Sequence, residues 1–498
     1  MSRLDLVGGS YFARSAIANA QRCINYYPER NRVDSPVPFT YYQRPGLRPL
    51  VQGPAQPVRE VWRASDGQGF CVIGQKCYYI DPAWALVELG TLTFNAMTPV
   101  RFADNGVTVV LVDGSTTGYS IDLATHAFAP IVDATGTFTG ATAFAYIDTF
   151  LIWNYPGTKV FGSTLSNTVS FNALYISAKT AFPDPLIYPV VNRNEIILLG
   201  ALKSEIWYDA GAPQFPFAKL PGAYIEHGCV APYSVATADI ETFWLSQDLQ
   251  GARMVLALKG YDTRRVSNHA LEFALSQMAN VSDAIGFTYQ QEGHVYYVLT
   301  LPTGNQTWVF DTSLEDDPTM AWHQRAFTPV EGQYDRWRAN CGAFIYGQNV
   351  VGDYANGTLY AQDKSQYFDR VDGVDYRIGC VKGFPHIVQG WDERSAQAVL
   401  ASGKLVQHRM FQLDLEVGSV PLDADGNAQS IWLRWSDTKG LSWEQAVLQT
   451  VGAPGVYETS PLWRGIGIAR DRVYEIAHSL NGPAALNSAW VDGTVLAN

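Results

Sequence analysis

At 498 residues the chain is longer than one hydrophobic core usually serves, which points to two to four domains. Apolar residues make up 47% and charged residues 16%, with 27 Tyr and 14 Trp, a composition that suits strands and excludes disorder on a large scale. The formal charge of −12 excludes a protein that grips nucleic acid by its phosphates, which takes clustered Lys and Arg, although an acidic wall would let a duplex slide past without sticking.

The opening MSRLDLVGGSYFARSAIANAQ has no apolar run of signal-peptide length, and no later run nears the roughly 18 residues that span a bilayer. A soluble chain made in the cytoplasm, without membrane insertion, is expected. Residues 1–57 read as an extended arm rich in Pro and Arg with little core of its own, so it must lie on something else, and its Phe39–Val51 segment could supply a strand that closes a ring.

From Val58 the chain settles into units of a short apolar strand, a Gly, Asp or Asn turn, a second strand with aromatics and a looser segment. Seven are counted, at 58–92, 95–133, 140–178, 184–224, 230–267, 281–327 and 336–369. Their period of about 40 residues is that of four-stranded propeller blades, which bury both faces only by stacking on neighbours. The fold class expected is therefore all-β, a β-propeller over 58–369 with seven blades, six being the alternative because the third unit is weakly patterned. Residues 107–112 should turn at Asp113-Gly114 into 117–121, and 294–301 should turn at 303–305 into 307–311. One helix interrupts the pattern, with Leu271, Ala274, Leu275 and Met278 on one face after the N-cap candidate Asn268. Residues 370–404 read as a connector, and 405–498 as a separate C-terminal β-sandwich with strands near 410–417, 431–435 and 473–477.

Six scattered cysteines do not make a disulfide scaffold or a zinc site. For Cys71 and Cys77 the turn decides: a two-residue turn at Gly74-Gln75 puts the sulfurs on opposite faces, a three-residue loop would set them opposite each other, and free thiols are expected.

No HExxH, GxSxG elbow or phosphate loop occurs, and the eight histidines are isolated, so no catalytic, cofactor or metal residue is assigned. Ser436, Asp437, Gly440 and Trp443 approximate an Asp-box turn, a fold element with no catalytic group. Glu315, Asp316 and Asp317 read as a solvated turn. The candidate structural or interface residues are Arg264 and Arg265, a basic pair small enough for Asp262 and Glu272 to neutralise; Trp443 and Trp463, expected as packing anchors; and Arg464, Arg470, Asp471 and Arg472, a charged turn between strands whose arginines should pair locally or across a subunit boundary.

Three separated stretches, CINYYPE with YYQRPGL (23–29 and 41–47), KGYDTRRVSNHALE (259–272), and WSDTKGLSWEQA with LWRGIGIARDRVYEI (435–446 and 462–476), together resemble the tail hub proteins of short-tailed phages, also called packaged-DNA stabilisation proteins. The resemblance implies a virion tail protein forming a homo-hexameric ring beneath the portal and its adaptor. It would hold the tail needle and tail fibres or spikes, and retain double-stranded DNA as channel content without sequence-specific contacts. An alternative is a propeller-based tail protein that binds or hydrolyses glycans; a deep pocket with paired carboxylates would favour it.

Overall fold

The computed structural model describes residues 2–6, 8–16, 19–93, 97–213, 215–385, 390–392, 397–399 and 405–496. Of the connector read over 370–404, residues 386–389, 393–396 and 400–404 lie outside the described residues.

Valine, isoleucine and aromatic side chains alternate along short runs bounded by Gly, Asn and Asp, and these runs pair as antiparallel meanders. Six of them stand as separate four-stranded sheets: 58–91, 101–130, 144–178, 186–225, 236–265, and 339–363 completed by the arm strand Gly46–Gln52. The weakly patterned unit 140–178 does form one of these blades. The seven-blade expectation is corrected at 281–327 instead. Its strands 285–327 occupy the ring between the fifth blade and the last, but they are the first four strands of a ten-stranded sheet and not a discrete blade.

Apolar clusters fill the spaces between neighbours all the way round. The ring closes where Cys341, Ile345 and Leu359 of the last blade meet Val58, Val61 and Cys71 of the first. In the first blade Cys77 pairs with Val72, so the turn is the two-residue one. Cys71 then points into the closing core and Cys77 into the next, and all six cysteines are free thiols. The hairpins 108–112 with 118–122 and 294–301 with 306–311 form as expected. The helix is His269–Gln277, where the Asn268 side chain accepts the Leu271 N–H at 2.8 Å and the apolar face packs on the propeller.

Beyond the ring, the ten-stranded sheet continues from Trp322–Phe327 through Cys23–Ile24, Cys380–Gly383, Val473–His478 and Ser430–Ser436 to Val447–Thr450. A seven-stranded sheet faces it, in which Val406–Leu415 and Leu486–Val495 pair with each other and Phe39–Gln43, Tyr26–Arg30 and Ser2–Asp5 join them. One core lies between these sheets, including Tyr26, Tyr41, Phe411, Trp463, Tyr474 and Leu486. The C-terminal strands therefore do not make the self-contained sandwich read over 405–498. They share both sheets with the arm, and one sheet with the propeller.

Arg44 fastens the arm. Its guanidinium, 1% exposed, donates to both Asp369 carboxylate oxygens (2.9 and 2.6 Å), to the Asn25 side-chain oxygen (2.8 Å), and to the carbonyls of Pro45 (2.9 Å) and Ala326 (3.0 Å). Asn25 sits at φ 59°, a left-handed conformation that asparagine tolerates better than most residues. Its amide nitrogen donates to the Gly379 carbonyl at 2.8 Å and its oxygen also accepts the Ala326 N–H at 2.8 Å, so one side chain joins three distant segments.

Candidate functional site

The basic pair of the fifth blade does not project a free charge. Arg264 reaches both oxygens of Glu241 at 3.1 Å and also pairs with Glu315, while Arg265 pairs with Glu272 and not with Asp262. These pairs are half-exposed and contribute little stability, but they cancel the basic patch. The acidic run is consumed locally too, because Asp317 caps the short helix Pro318–Ala321 by accepting the Thr319 N–H at 2.9 Å. Among the described residues no group of three His, Cys, Asp or Glu side chains could hold a metal ion.

The C-terminal candidates separate into buried and exposed sets. Arg472 is buried, donates from Nε and Nη2 to Asp437 at 2.6 and 2.7 Å and from Nη1 to the Ile466 carbonyl at 2.5 Å, and lies over the Trp435 ring. It thereby ties the hairpin after Ser436 to the turn at 470–472, and the Asp of the Asp-box-like segment is spent on this pair. The box also closes through Ser436, whose Oγ accepts the Gly440 N–H at 2.8 Å, with Gly440 at φ 91°. Asp471 lies 3.8 Å from Lys439. Arg464 and Arg470 are exposed.

Trp463 is 2% exposed, packs edge-on to Phe411 and donates from Nε1 to the Val447 carbonyl at 2.8 Å. Trp463→Ala should cost about 3–5 kcal/mol, combining lost burial with a cavity. Denaturant unfolding of the full chain checks this, and an unchanged midpoint would contradict it. Trp443 is not a core anchor: it is half-buried, with the Arg434 guanidinium 4.6 Å from its ring centre.

Arg434 leads to a cluster of charges that the sequence alone does not reveal. From neighbouring strands its Nε donates to Glu475 Oε1 at 2.8 Å, and Arg22 approaches Glu475 Oε2 at 3.8 Å. These residues lie in a cleft of about 620 Å³ between the C-terminal strands and the segments 328–334 and 375–379. A second depression, about 760 Å³, opens on the propeller axis. Trp62 and Phe102 stack there at 5.4 Å, and Asp104 is the sole carboxylate among its lining residues. Asp104 already accepts from the Ser65 N–H (3.0 Å) and Oγ (2.6 Å) and from the Gly106 N–H (2.9 Å). Glycoside hydrolysis needs two carboxylates at the bond, and among the described residues lining this depression Asp104 is the one carboxylate.

Three buried histidines set a pH response. Burial pushes His408 down to about 4, with Arg472 adding to the effect, pushes His478 down to about 3, and holds His323 well below its ordinary value. Each is neutral in the folded chain and takes up a proton near pH 6.5 when unfolded. The stability they supply is complete above that pH and is lost as pH falls towards the folded values. His294 works the other way: burial opposes its charge, but Asp311 at 2.7 Å and the nearby Glu29 raise its pKa overall, so its contribution is full below pH 6.5 and lost as pH rises through the raised value. With three groups against one, unfolding free energy should fall between pH 6.5 and 4.5, by up to about 1.4 kcal/mol per pH unit for each neutral histidine. Urea titrations across that interval test the sign, and a rise on acidification would contradict it.

A family model described as "Bacteriophage P22 Gp10, beta-propeller" matches residues 20–367. No curated protein matches the chain. Among solved structures it is similar to the WD40 β-propeller domain of Doa1 (12% identity, 64% of this chain and 98% of that one, TM-score 0.39), to a streptogramin B lyase (9%, 63% and 96%, 0.41) and to the Neurospora crassa Pan2 WD40 domain (10%, 64% and 95%, 0.39).

Proposed function

Because the chain belongs to the phage packaged-DNA stabilisation family of bacteriophage P22 Gp10, a structural virion family built on a β-propeller, we propose that it is the tail hub of a short-tailed phage. In this reading it assembles as a homo-hexameric ring beneath the portal and its adaptor, prolongs the DNA channel, retains the packaged duplex and anchors the needle and the fibres or spikes. Its action is mechanical, with contacts that favour the closed state until ejection.

The family match over 20–367 carries the reading. The chain's own chemistry supports it: an acidic protein gives a duplex little to adhere to, the basic pair at Arg264 and Arg265 is neutralised, and exposed Arg464 and Arg470 remain available to a neighbouring subunit. A ring needs a heterologous interface, two different surfaces on each subunit, of at least about 1,000 Å².

Adaptor-loaded portal should convert the purified protein into a stoichiometric ring visible by electron microscopy, even if the free protein is a monomer. Virion imaging that places it as peripheral spikes away from the channel axis would overturn the assignment.

A further inference from the structure

The cleft between the C-terminal strands and the propeller contains a polar group that the fold leaves unfinished. Glu475 is 2% exposed, and its Oε1 is held by Arg434 while its Oε2 has no hydrogen-bond partner and lies 3.8 Å from Arg22 Nε. A buried carboxylate oxygen without a donor costs free energy unless something supplies one. Trp432 lies beside it: Arg434 pairs with Glu475 across the strands and Trp432 with Ala477, and residues two apart on a strand share a face. A half-buried indole, a guanidinium and a carboxylate thus stand side by side on the cleft floor, with Tyr334 opposite beneath Arg22 at 5.5 Å.

These features restrict the ligand. Three arginines (22, 377 and 434) and three carboxylates (331, 375 and 475) line the cleft, and His478 is neutral, so no net charge selects an ion. The strand carrying Trp432 and Arg434 is paired on both sides, so its backbone cannot take up an extended peptide by strand addition. Recognition therefore falls to side chains that accept from a hydroxyl (Glu475 Oε2), donate to oxygen (Arg22 and Arg434) and offer a flat apolar face (Trp432). We propose that this cleft binds a saccharide. One hydroxyl donates to Glu475 Oε2, neighbouring oxygens accept from the guanidiniums, and the C–H face of the ring rests on Trp432. The volume of about 620 Å³ suits an oligosaccharide. The site lies off the propeller axis.

The full-length protein is applied to an array of bacterial polysaccharide fragments, and the strongest-binding oligosaccharide is titrated by saturation-transfer NMR. The expected result is binding with transfer involving the indole, weakened at least tenfold in both Glu475→Gln and Trp432→Ala while thermal midpoints stay within a few degrees. Should Glu475→Gln fold poorly, the half-buried Trp432→Ala decides alone. No bound glycan, unchanged affinity in Trp432→Ala, or capture of peptides in place of glycans on a parallel array would each overturn the proposal. Ring assembly is a separate measurement, so the hub reading and this one can fail independently.

Discussion

A chain lacking residues 1–52 should fail to fold cooperatively. The deletion removes the strand Gly46–Gln52 that completes the last blade, leaving Thr358–Asp363 as a bare edge beside the ring closure. It also strips Tyr26–Arg30 and Phe39–Gln43 from the seven-stranded sheet and Cys23–Ile24 from the middle of the ten-stranded one, where that short strand bridges the propeller and the C-terminal strands. Buried Tyr26, Tyr41 and Leu47 leave with them. Sedimentation and calorimetry should show aggregated protein without a sharp transition. A soluble monomer melting near the intact chain would mean that the arm is an appendage after all.

Arg44→Ala should cost as much as the loss of the buried Trp463 ring. Both members of its pair with Asp369 are almost fully buried, so removing the guanidinium strands a carboxylate in the interior and frees acceptors on Asn25, Pro45 and Ala326. Breaking a buried pair by deleting one partner costs about 3–5 kcal/mol. Asp369 would still accept the Leu47 N–H at 3.1 Å, which moderates but does not cancel the loss. Urea unfolding checks the magnitude, and the apolar double variant Arg44→Met with Asp369→Leu should recover much of it, because replacing both charges removes the desolvation cost together with the attraction. A loss below about 1 kcal/mol, the ordinary value for an exposed pair, would show that water reaches the site.

Local features were legible in the amino-acid sequence, and non-local ones were not. Asn268 caps its helix because that choice is settled within a few residues, whereas the turn at Gly74-Gln75 stays open between two and three residues until Cys77 pairs with Val72. The partner of Gly46–Gln52 could be guessed only as some strand of a ring, since its register with Thr358–Asp363 depends on everything between them. The count of seven departs from the structure at 281–327, where the repeat looks regular but its last strand, Trp322–Phe327, meets Cys23–Ile24 in parallel at a single register pair, Gln324 with Ile24. Among the candidate residues, Trp463 packs in the core, Arg472 of the charged turn is buried against Asp437 from another strand end, and Arg264 is absorbed by Glu241 and Glu315. Glu475, a lone glutamate in a strand, carries no signal in the sequence until Arg434 and Arg22 are brought beside it.

The pairing of the first strands with the last imposes an order on synthesis. Residues 46–52 leave the ribosome more than 300 residues ahead of Thr358–Asp363, and Ser2–Asp5 must await Leu486–Val495. At 5–20 residues per second, Gly46–Gln52 stays without its partner strand for roughly 15 to 60 seconds. The middle blades can form behind it during that time, while Phe39, Tyr41, Tyr42 and Leu47 remain accessible to chaperones or to other nascent chains. Yield at high expression should therefore depend on translation rate and temperature more than on the stability of the finished molecule.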